Sequence, residues 1–549
     1  MKTESKFSIW LTILAFILLV GPFALSFHMH YPDEMYYSDA AVKMLQNGDI
    51  QTPYLGSEET RFKKPILTYW FVLAGFKIFE VTPFASRIFF LLAGALTIGF
   101  VFWASRVFFN DRKISNLAAL IMASHPVLIL SSTRSIPDVL LGFFMAMSTV
   151  GFIGFLKYGN SAPKKFHWLL FLGLALAFEV KGLPAAALGG LGILYLLLNP
   201  WQRIHIKKLV HFPSVLTAIV IASYWFVAMY WIHGATYLES FVEDQVGMRV
   251  ASRFLLIGKN LLIAALLIIV LFVPWFIFGF KNTKSNTKKL FHEQPAFTGF
   301  VILWVIAILL MSAAVSKFYE RYLLPVIPMT TIWVAWLLIR AAILERIKLL
   351  KSSLIFFLGL NIIVFLAGIF FNYFLPSTFW VWLQIAIFGS GIVYLFKTSQ
   401  NNEKLTHSIA LSVLLLFFGI SISTFQISLP DAGQHIKTYA RDKDIPKGSK
   451  IAFLGHLHTG SKIRIGLGPD YFMTDLNEGN FDERFSDYDF IIIEDKHLSR
   501  IPKENYQIEL AALNWDAKHI GKMALSLLQG NSEEVKSETG KKFYWVKPI

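Results

Sequence analysis

The sequence lacks cysteine altogether, and charged residues make up only 16% of its 549 residues. Without cysteine the chain can form no disulfide, no thiolate nucleophile and no thiolate metal site, so a metal would have to be held by carboxylates or histidines. The charged fraction lies well below the roughly 25% of an ordinary soluble domain. Hydrophobic residues, in contrast, make up 55% of the chain. This composition is typical of an integral membrane protein.

The formal net charge of +15 could indicate a nucleic-acid partner. Membrane proteins, however, accumulate Lys and Arg in their cytoplasmic loops. The loops predicted to be cytoplasmic are basic and contain hardly any acid. They carry Arg112 and Lys113; Lys157, Lys164 and Lys165; Arg203, Lys207 and Lys208; Lys281, Lys284, Lys288 and Lys289; Arg346, Lys348 and Lys351; and Lys397 and Lys404. We therefore attribute much of the positive charge to membrane orientation and expect no nucleic-acid partner.

Apolar runs that could cross a bilayer recur from the first residues onward. The first run, 9–27, follows Lys2 and Lys6, which predicts a cytoplasmic N-terminus. The alternative is a cleaved signal peptide, but the run is longer than the usual apolar region of such a peptide. Further runs lie near 84–108, 114–132, 137–157, 167–181, 183–199, 213–232, 259–280, 297–314, 322–340, 353–374, 376–396 and 407–427. The sequence therefore predicts about thirteen crossings of ~20 residues each, in a bacterial inner membrane.

The polar parts of the chain are predicted to lie outside the cytoplasm. Residues 28–83 form a large first outer loop, within a transmembrane domain that covers residues 1–427. From about residue 428 the pattern changes to short strand-like segments at 449–454, 487–494 and 542–547, separated by Gly, Pro and charged residues. We expect residues 428–549 to form a small α/β domain. The odd number of crossings places it on the same outer side as the first loop.

The first outer loop contains an adjacent pair of carboxylates, Asp33 and Glu34. Apolar residues recur at helical spacing from there to Leu45, which predicts an amphipathic helix at the membrane surface. Carboxylates at the positive N-terminal end of a helix stay ionised, and they can act as a general base or hold a divalent ion. The alternative is a helix N-cap without chemistry.

Two further groups of residues lie at the same predicted face. Asp138 follows Pro137 in the first turn of a later span, where the helix dipole alone could also favour an acid. His28, His30 and His233 are near the outer surface, but no pair at helical spacing supports a metal site. A divalent metal is thus possible, and its ligands are unknown.

Several basic residues on the outer side run against the orientation rule. Around a water-filled cavity they would bind a phosphate or diphosphate at the lipid surface. Each of them alone could instead reach towards headgroup phosphates. These residues are Arg61, Lys63, Lys64, Arg134, Lys181, Arg249, Arg253, Lys317 and Arg321.

Several short motifs occur together over the whole length of the chain. They are the Asp33-Glu34 pair, Lys64-Pro65 followed by Tyr69-Trp70, Asp138 on the fourth span, Lys181-Gly182, Lys317 with a downstream Tyr322-Leu323-Leu324-Pro325, and the outer C-terminal domain. With these motifs the sequence resembles the GT-C superfamily of membrane glycosyltransferases. Within it, the sequence is similar to bacterial relatives of protein O-mannosyltransferases and to the aminoarabinose transferases that modify lipid A.

The resemblance implies a role for each matching residue. Asp33 would be the catalytic base, Glu34 its neighbour in the motif, and Asp138 a second polar group of the cavity. The phosphate of a polyprenyl-phosphate sugar donor would be bound by Lys64, Lys181, Arg249, Lys317 and the basic neighbours Arg61 and Lys63, with Tyr322 lining the site. The implied reaction is a direct displacement at the anomeric carbon with inversion.

Two positions depart from the aminoarabinose transferases. Lys63 stands where those enzymes carry a Glu before the Lys-Pro, and Glu243-Asp244 stands where they carry a Glu-His pair. The absence of a Glu and a His argues against a metal at that place. It also argues against assigning the particular substrate of that family to this chain. The resemblance therefore implies a sugar transferase acting on a lipid, lipopolysaccharide, glycan or protein acceptor.

A transporter or flippase of an anionic polyprenyl-phosphate lipid is the alternative function. Transporters usually place ionisable groups near the bilayer midplane and have repeated halves, whereas the charges here are predicted at one face and the halves do not resemble each other. An inactive assembly subunit is a third possibility.

Overall fold

The structure, a computed structural model, describes residues 9–515 and 540–549 except 58, 244–253, 277–282, 316, 376, 428–429 and 480, together with 525, 528 and 529. Its larger part is a bundle of helices. These are α1 (Ile9–Ser26), α2 (Pro32–Asn47), α3 (Leu67–Phe79), α4 (Pro83–Phe109), α5 (Arg112–Ala123), α6 (Pro126–Ser132), α7 (Pro137–Tyr158), α8 (Lys164–Lys181), α9 (Leu183–Leu198), α10 (Ile206–Leu209), α11 (Phe212–His233), α12 (Ala235–Val242), α13 (Phe254–Val270), α14 (Val273–Phe276), α15 (Thr283–Glu293), α16 (Pro295–Ala313), α17 (Ile327–Arg340), α18 (Ile343–Phe374), α19 (Phe379–Thr398) and α20 (Leu405–Ile427).

Helices occupy the predicted apolar runs, but fewer of them than the thirteen predicted crossings are long and apolar enough to span a membrane. Within the described ranges, nine helices are long and apolar enough to cross a membrane, or ten if α5 and α6, which meet at 56°, form one span. The other predicted runs fall on α8, α9 and α13, which are shorter or more charged. Within the described residues, each of the thirteen predicted runs therefore contains one helix or two consecutive helices, and residues 277–280 of one run lie outside the described residues.

Residues 28–83, predicted as the first outer loop, are more structured than a loop. The helix predicted after the acid pair is α2, which begins at Pro32 with both acids in its first turn and ends at Asn47, followed by the C-cap residue Gly48. Gly48 has a left-handed φ of 73°, a conformation that glycine adopts without steric cost, and its N–H bonds the Met44 carbonyl. The apolar helix α3 was not predicted. Its 13 residues span only about 20 Å, too short to cross the bilayer alone.

Helix α7 lies at the centre of the bundle, between α4 and α8. Small residues let its backbone approach α8 closely, as in many membrane bundles. At Gly151 an added Cβ would lie 2.6 Å from the backbone nitrogen of Leu170 on α8. Because backbone atoms cannot move aside as a flexible side chain can, this position requires glycine.

The C-terminal part forms a five-stranded mixed sheet in the order β4-β3-β5-β7-β6, with β1 (Tyr54–Leu55) and β2 (Glu59–Thr60) forming a separate small hairpin in the first outer segment. The sheet strands are β3 (Lys450–Leu454), β4 (Phe472–Asp475), β5 (Phe490–Glu494), β6 (Tyr506–Asn514) and β7 (Lys541–Pro548). β3 is parallel to β4 and β5, whereas β7 is antiparallel to β5 and β6. Helices α21 (Ala432–Asp442) and α22 (Leu457–Leu467) pack against each other beside the sheet, and the short α23 (Phe481–Arg484) precedes β5.

This domain confirms the predicted α/β fold. Three of its strands match the predicted segments, whereas β4 and β6 were not predicted. The boundary between 427 and 428 stays a prediction, because residues 428 and 429 lie outside the described residues.

The close approach of α7 and α8 can be tested by one methyl group. We expect Gly151→Ala to lower the thermal stability of the detergent-solubilised protein, because over-packing in a tight interface costs about 1–3 kcal/mol. Gly190→Ala on α9 is the matched control, since a Cβ there meets nothing within 4 Å. Equal melting temperatures for the two variants would contradict the packing argument.

Candidate active site

Three of the predicted site residues meet at one end of the bundle. Asp33 in the first turn of α2 lies with an Oδ2 atom 3.2 Å from Nη2 of Arg321. The same guanidinium places its Nε 3.0 Å from an Asp138 oxygen in the first turn of α7. The other Asp138 oxygen accepts a hydrogen bond of 2.5 Å from Lys181 at the end of α8. Arg321 therefore links the two acids that the sequence analysis singled out.

The two acids differ in exposure. The side chain of Asp138 is 5% exposed and both of its oxygens face a cation, as a buried carboxylate requires to offset its desolvation. The side chain of Asp33 is 44% exposed and has an ion pair with Arg321. Asp33 is therefore the carboxylate of the site that a reactant can reach.

The alternative reading of the acid pair, a helix N-cap, is wrong. The N-cap residue of α2 is Tyr31, whose backbone is extended and whose side chain forms no capping hydrogen bond. Both acids lie inside the first turn, where the helix dipole favours their negative charge.

Glu34 is fully buried and does not share the exposure of its neighbour. It forms a two-pronged ion pair with Arg87 of α4, with Nη2 donating to Oε2 at 2.7 Å, and it accepts a 3.0 Å hydrogen bond from the backbone of Ser135. Burial raises the pKa of Glu34, but the charge and hydrogen bonds of Arg87 outweigh it, so the pKa lies below its ordinary value. Glu34 is thus held ionised inside the protein.

Arg87 was not identified from the sequence, although it organises the start of α2. It also donates hydrogen bonds to the carbonyl oxygens of Ala24 (3.1 Å), Phe27 (2.6 Å) and His28 (3.3 Å), where α1 ends and turns towards α2. A buried arginine can satisfy several acceptors at once because its donors form a rigid fork. Its position near the start of an apolar helix, shortly after Pro83, could have identified Arg87 as a buried cation.

Arg321 was predicted as one of several outer cations, but its central position was not. It donates a hydrogen bond to the Tyr31 hydroxyl, and its guanidinium lies 4.0 Å from the centre of the Tyr319 ring. The Tyr31 ring also has Arg134 near it, 4.5 Å from the ring centre. The contacts with Tyr31 and Tyr319 help to fix the orientation of the Arg321 guanidinium.

A cavity of about 230 Å³ opens beside Lys181. Its polar groups are Lys181, Lys317 and Tyr322, with the Lys181 ammonium 4.5 Å from the centre of the Tyr322 ring. Its remaining wall is mostly apolar and consists of Leu141, Pro184, Leu188, Ile308, Met311, Ser312, Val315 and Pro325. Two cations at the edge of an apolar pocket fit an anionic group carried on an apolar chain.

The other predicted cations are placed differently. Lys64 is buried and interacts electrostatically with Asp138. Arg61 is also buried, with its guanidinium 5.2 Å and 4.8 Å from the ring centres of Tyr36 and Tyr37 on α2. Lys63 is exposed. Arg249 and Arg253 lie outside the described residues.

Of the three histidines predicted near the outer surface, His30 interacts electrostatically with Glu34. His28 is buried against the Phe27 ring, and His233 hydrogen-bonds the Thr52 hydroxyl at 3.0 Å. In the part of the chain that the structure describes, no cluster of three or more His, Asp or Glu side chains could hold a metal ion. Asp33 and Asp138 are engaged instead by cationic side chains.

The fold is that of a multi-pass membrane protein similar to solved GT-C structures. The structure superposes with a TM-score of 0.71 on the crystal structure of ArnT from Cupriavidus metallidurans bound to undecaprenyl phosphate, covering 98% of this chain and 97% of that one at 16% identity. It superposes on the apo state of the same protein with a TM-score of 0.69. The predicted fold class is confirmed.

Sequence relatives point to the same superfamily. Residues 5–238 match the family model described as dolichyl-phosphate-mannose-protein mannosyltransferase. An uncharacterized protein of Aquifex aeolicus is 28% identical over 59% of this chain and 62% of its own length. The undecaprenyl phosphate-alpha-4-amino-4-deoxy-L-arabinose arabinosyl transferase of Yersinia enterocolitica is 31% identical over 36% of each chain. The chain thus matches less than two thirds of either relative, and the predicted resemblance to GT-C proteins is confirmed.

The Glu34–Arg87 pair should dominate the stability of the site. Glu34→Gln leaves the Arg87 charge buried without its counter-ion, which typically costs about 3–5 kcal/mol, so we expect a clear drop in melting temperature. Glu34→Leu combined with Arg87→Met removes both charges and should be less harmful than either change alone. A melting temperature of Glu34→Gln equal to wild type would contradict this role.

Proposed function

We propose that this protein is a membrane glycosyltransferase that moves one sugar from a polyprenyl-phosphate donor to a lipid, lipopolysaccharide, glycan or protein acceptor outside the cytoplasmic membrane. The observation that carries this proposal is the accessible Asp33 carboxylate, joined through Arg321 to the Lys181 side of an apolar cavity with cationic groups. In this proposal the N-terminus is cytoplasmic, and the site and the C-terminal domain lie outside.

The donor occupies the cavity beside Lys181 in this mechanism. The polyprenyl chain lies against the apolar wall, and its phosphate faces Lys181, Lys317 and Tyr322. Lys64 is a further phosphate contact, and Arg249 and Lys63 keep the roles that the resemblance implies. The undecaprenyl phosphate bound to the superposed ArnT supports this chemistry for a protein of the same fold.

Asp33 acts on the acceptor. Its carboxylate removes the proton from an acceptor hydroxyl, and the oxygen then attacks the anomeric carbon from the face opposite the phosphate. The bond between that carbon and the phosphate oxygen breaks, and its electron pair leaves with the polyprenyl phosphate. The lysines stabilise the negative charge on the leaving group. The acceptor thus gains the sugar with inverted configuration.

The remaining acids serve as positioning residues. Asp138 holds Lys181 and Arg321 in place through both of its oxygens, and Glu34 fixes the start of α2 through Arg87. Neither has a free face for proton transfer, so the base role falls to Asp33 alone. Arg61 contacts the rings of Tyr36 and Tyr37 on α2, the helix that carries Asp33, so in this arrangement it lies closer to the acceptor than to the donor phosphate.

A transporter has less support. The linked charges lie in the first turn of α2, the first turn of α7, the last turn of α8 and the segment before α17, which is one end of the bundle. Transport sites near the midplane would require them at the middle of the helices.

The catalytic role of Asp33 can be tested with purified protein, undecaprenyl phosphate carrying a radiolabelled pentose or hexose, and native bacterial membranes as the source of acceptor. We expect Asp33→Asn to lower transfer by about 10²–10⁴-fold, because it removes a general base without changing shape. The exposed Glu59→Gln, in the same outer segment, is the control. Full transfer by a normally folded Asp33→Asn variant would refute the assignment.

Donor binding can be tested separately at the rim of the cavity. Lys317→Ala should weaken the binding of undecaprenyl phosphate by about 10-fold or more, because a charge-assisted contact with the phosphate is lost. Titration followed by tryptophan fluorescence measures this affinity, and Lys496→Ala in the C-terminal domain serves as the control. An unchanged dissociation constant would remove Lys317 from the donor site.

A further inference from the structure

The helix that carries Asp33 is attached to the C-terminal domain along its length. Three side chains of α2 reach across to residues around and beyond α22. Tyr36 hydrogen-bonds His458, Asp39 pairs with Arg464, and Gln46 donates hydrogen bonds to the carbonyl oxygens of Pro469 (3.2 Å) and Tyr471 (2.7 Å). The contacts thus begin one turn after Asp33 and continue to the end of the helix.

The Arg464 bridge is the most buried of these contacts. Its guanidinium is inaccessible to solvent and lies 2.5 Å from Asp39, whose side chain is 1% exposed. The same guanidinium pairs with Asp475 of β4, and the Ser461 hydroxyl donates a 2.9 Å hydrogen bond to Asp39. A charge so buried cannot leave its partner without being left uncompensated. The bridge therefore joins α2 and the C-terminal domain into one unit.

The Tyr36–His458 contact lies closer to the reaction centre. Tyr36 is three residues after Asp33, so the two side chains lie on neighbouring parts of the helix surface. His458 is near enough to Asp33 to interact with its charge. The Arg61 guanidinium lies 5.2 Å from the centre of the Tyr36 ring. A group of the C-terminal domain thus stands beside the accessible carboxylate.

We propose that the C-terminal domain is a positioning element of the active site, with Arg464 fixing the place of α2 and His458 fixing its first turn. This proposal rests on the function proposed above for Asp33. The Asp33 side chain is 44% exposed, so its place relative to the donor depends on the helix that carries it. Asp39 is six residues further on, about 9 Å along the axis, so a shift at Arg464 is passed on to Asp33. Misplacement of a reacting group by 1 Å can cost about a hundredfold in rate.

The first test uses Arg464→Met in the full-length protein, reconstituted in lipid nanodiscs. We expect faster amide hydrogen exchange in the peptide that covers residues 32–47. Transfer in the assay described above should fall by about 10-fold to 100-fold, while the affinity for undecaprenyl phosphate stays within about twofold of wild type. Arg464→Lys, which keeps the charge, should restore part of the transfer rate.

Variants of the Tyr36–His458 contact keep the test decisive if Arg464→Met does not fold. Tyr36→Phe and His458→Ala each remove the contact beside Asp33 without leaving a buried charge. Each should lower the turnover number more than it changes the donor KM, and the double variant should be no worse than the stronger single one. Lys447→Ala, which breaks an exposed ion pair with Asp470 in the same domain, is the control.

The outcomes separate this proposal from the function it rests on. Unchanged exchange in residues 32–47, or unchanged transfer in folded variants, would overturn the positioning role. A loss of donor affinity equal to the loss of transfer would also overturn it, because a general structural defect would then explain both. If exchange responds but Asp33→Asn transfers normally, the attachment of α2 stands and the catalytic assignment of Asp33 fails.

Discussion

The site depends on one arginine that serves two acids. Arg321 pairs with Asp138, which is buried, and with Asp33, which is not. The buried pair has a high desolvation cost and persists because both Asp138 oxygens face cations. The buried Asp138 thereby fixes the position of the Arg321 guanidinium, and contacts with the rings of Tyr31 and Tyr319 restrict its orientation further. Asp33 then meets a cation of fixed position while keeping one side open to a reactant.

The two neighbouring acids of α2 show how the same residue type takes different roles. Glu34 turns into the protein and joins the ends of α1 and α4 through Arg87, whereas Asp33 stays partly exposed beside Arg321. Adjacent residues on a helix are about 100° apart, so one can face the core when the other faces the site. The stability of the helix start and the chemistry of the site are thus provided by consecutive residues.

The helical architecture was predictable because the bilayer imposes it. Backbone groups in hydrocarbon must be satisfied internally, so long apolar runs become helices, and helices lie in all thirteen predicted runs as far as the structure describes them. The helix α3 was missed because its 13 residues are too few for a crossing and its segment was read as polar. The strands β4 and β6 were missed because short segments in a mixed sheet gain their stability from pairing with distant strands rather than from their own pattern.

Hydropathy and charge are local properties, so the membrane character of the chain, its apolar segments and the chemical character of the site could be predicted from the residues alone. Asp33, Asp138 and Lys181 were identified in the same way. Helix packing, in contrast, determines that Arg321 joins Asp33 to Asp138, that Arg87 holds Glu34 and that Arg464 attaches α2 to the C-terminal domain. These pairs connect residues that are 53 to 425 positions apart, and a side chain's partner at such separations is set by how the helices pack. No spacing along the chain carries that information.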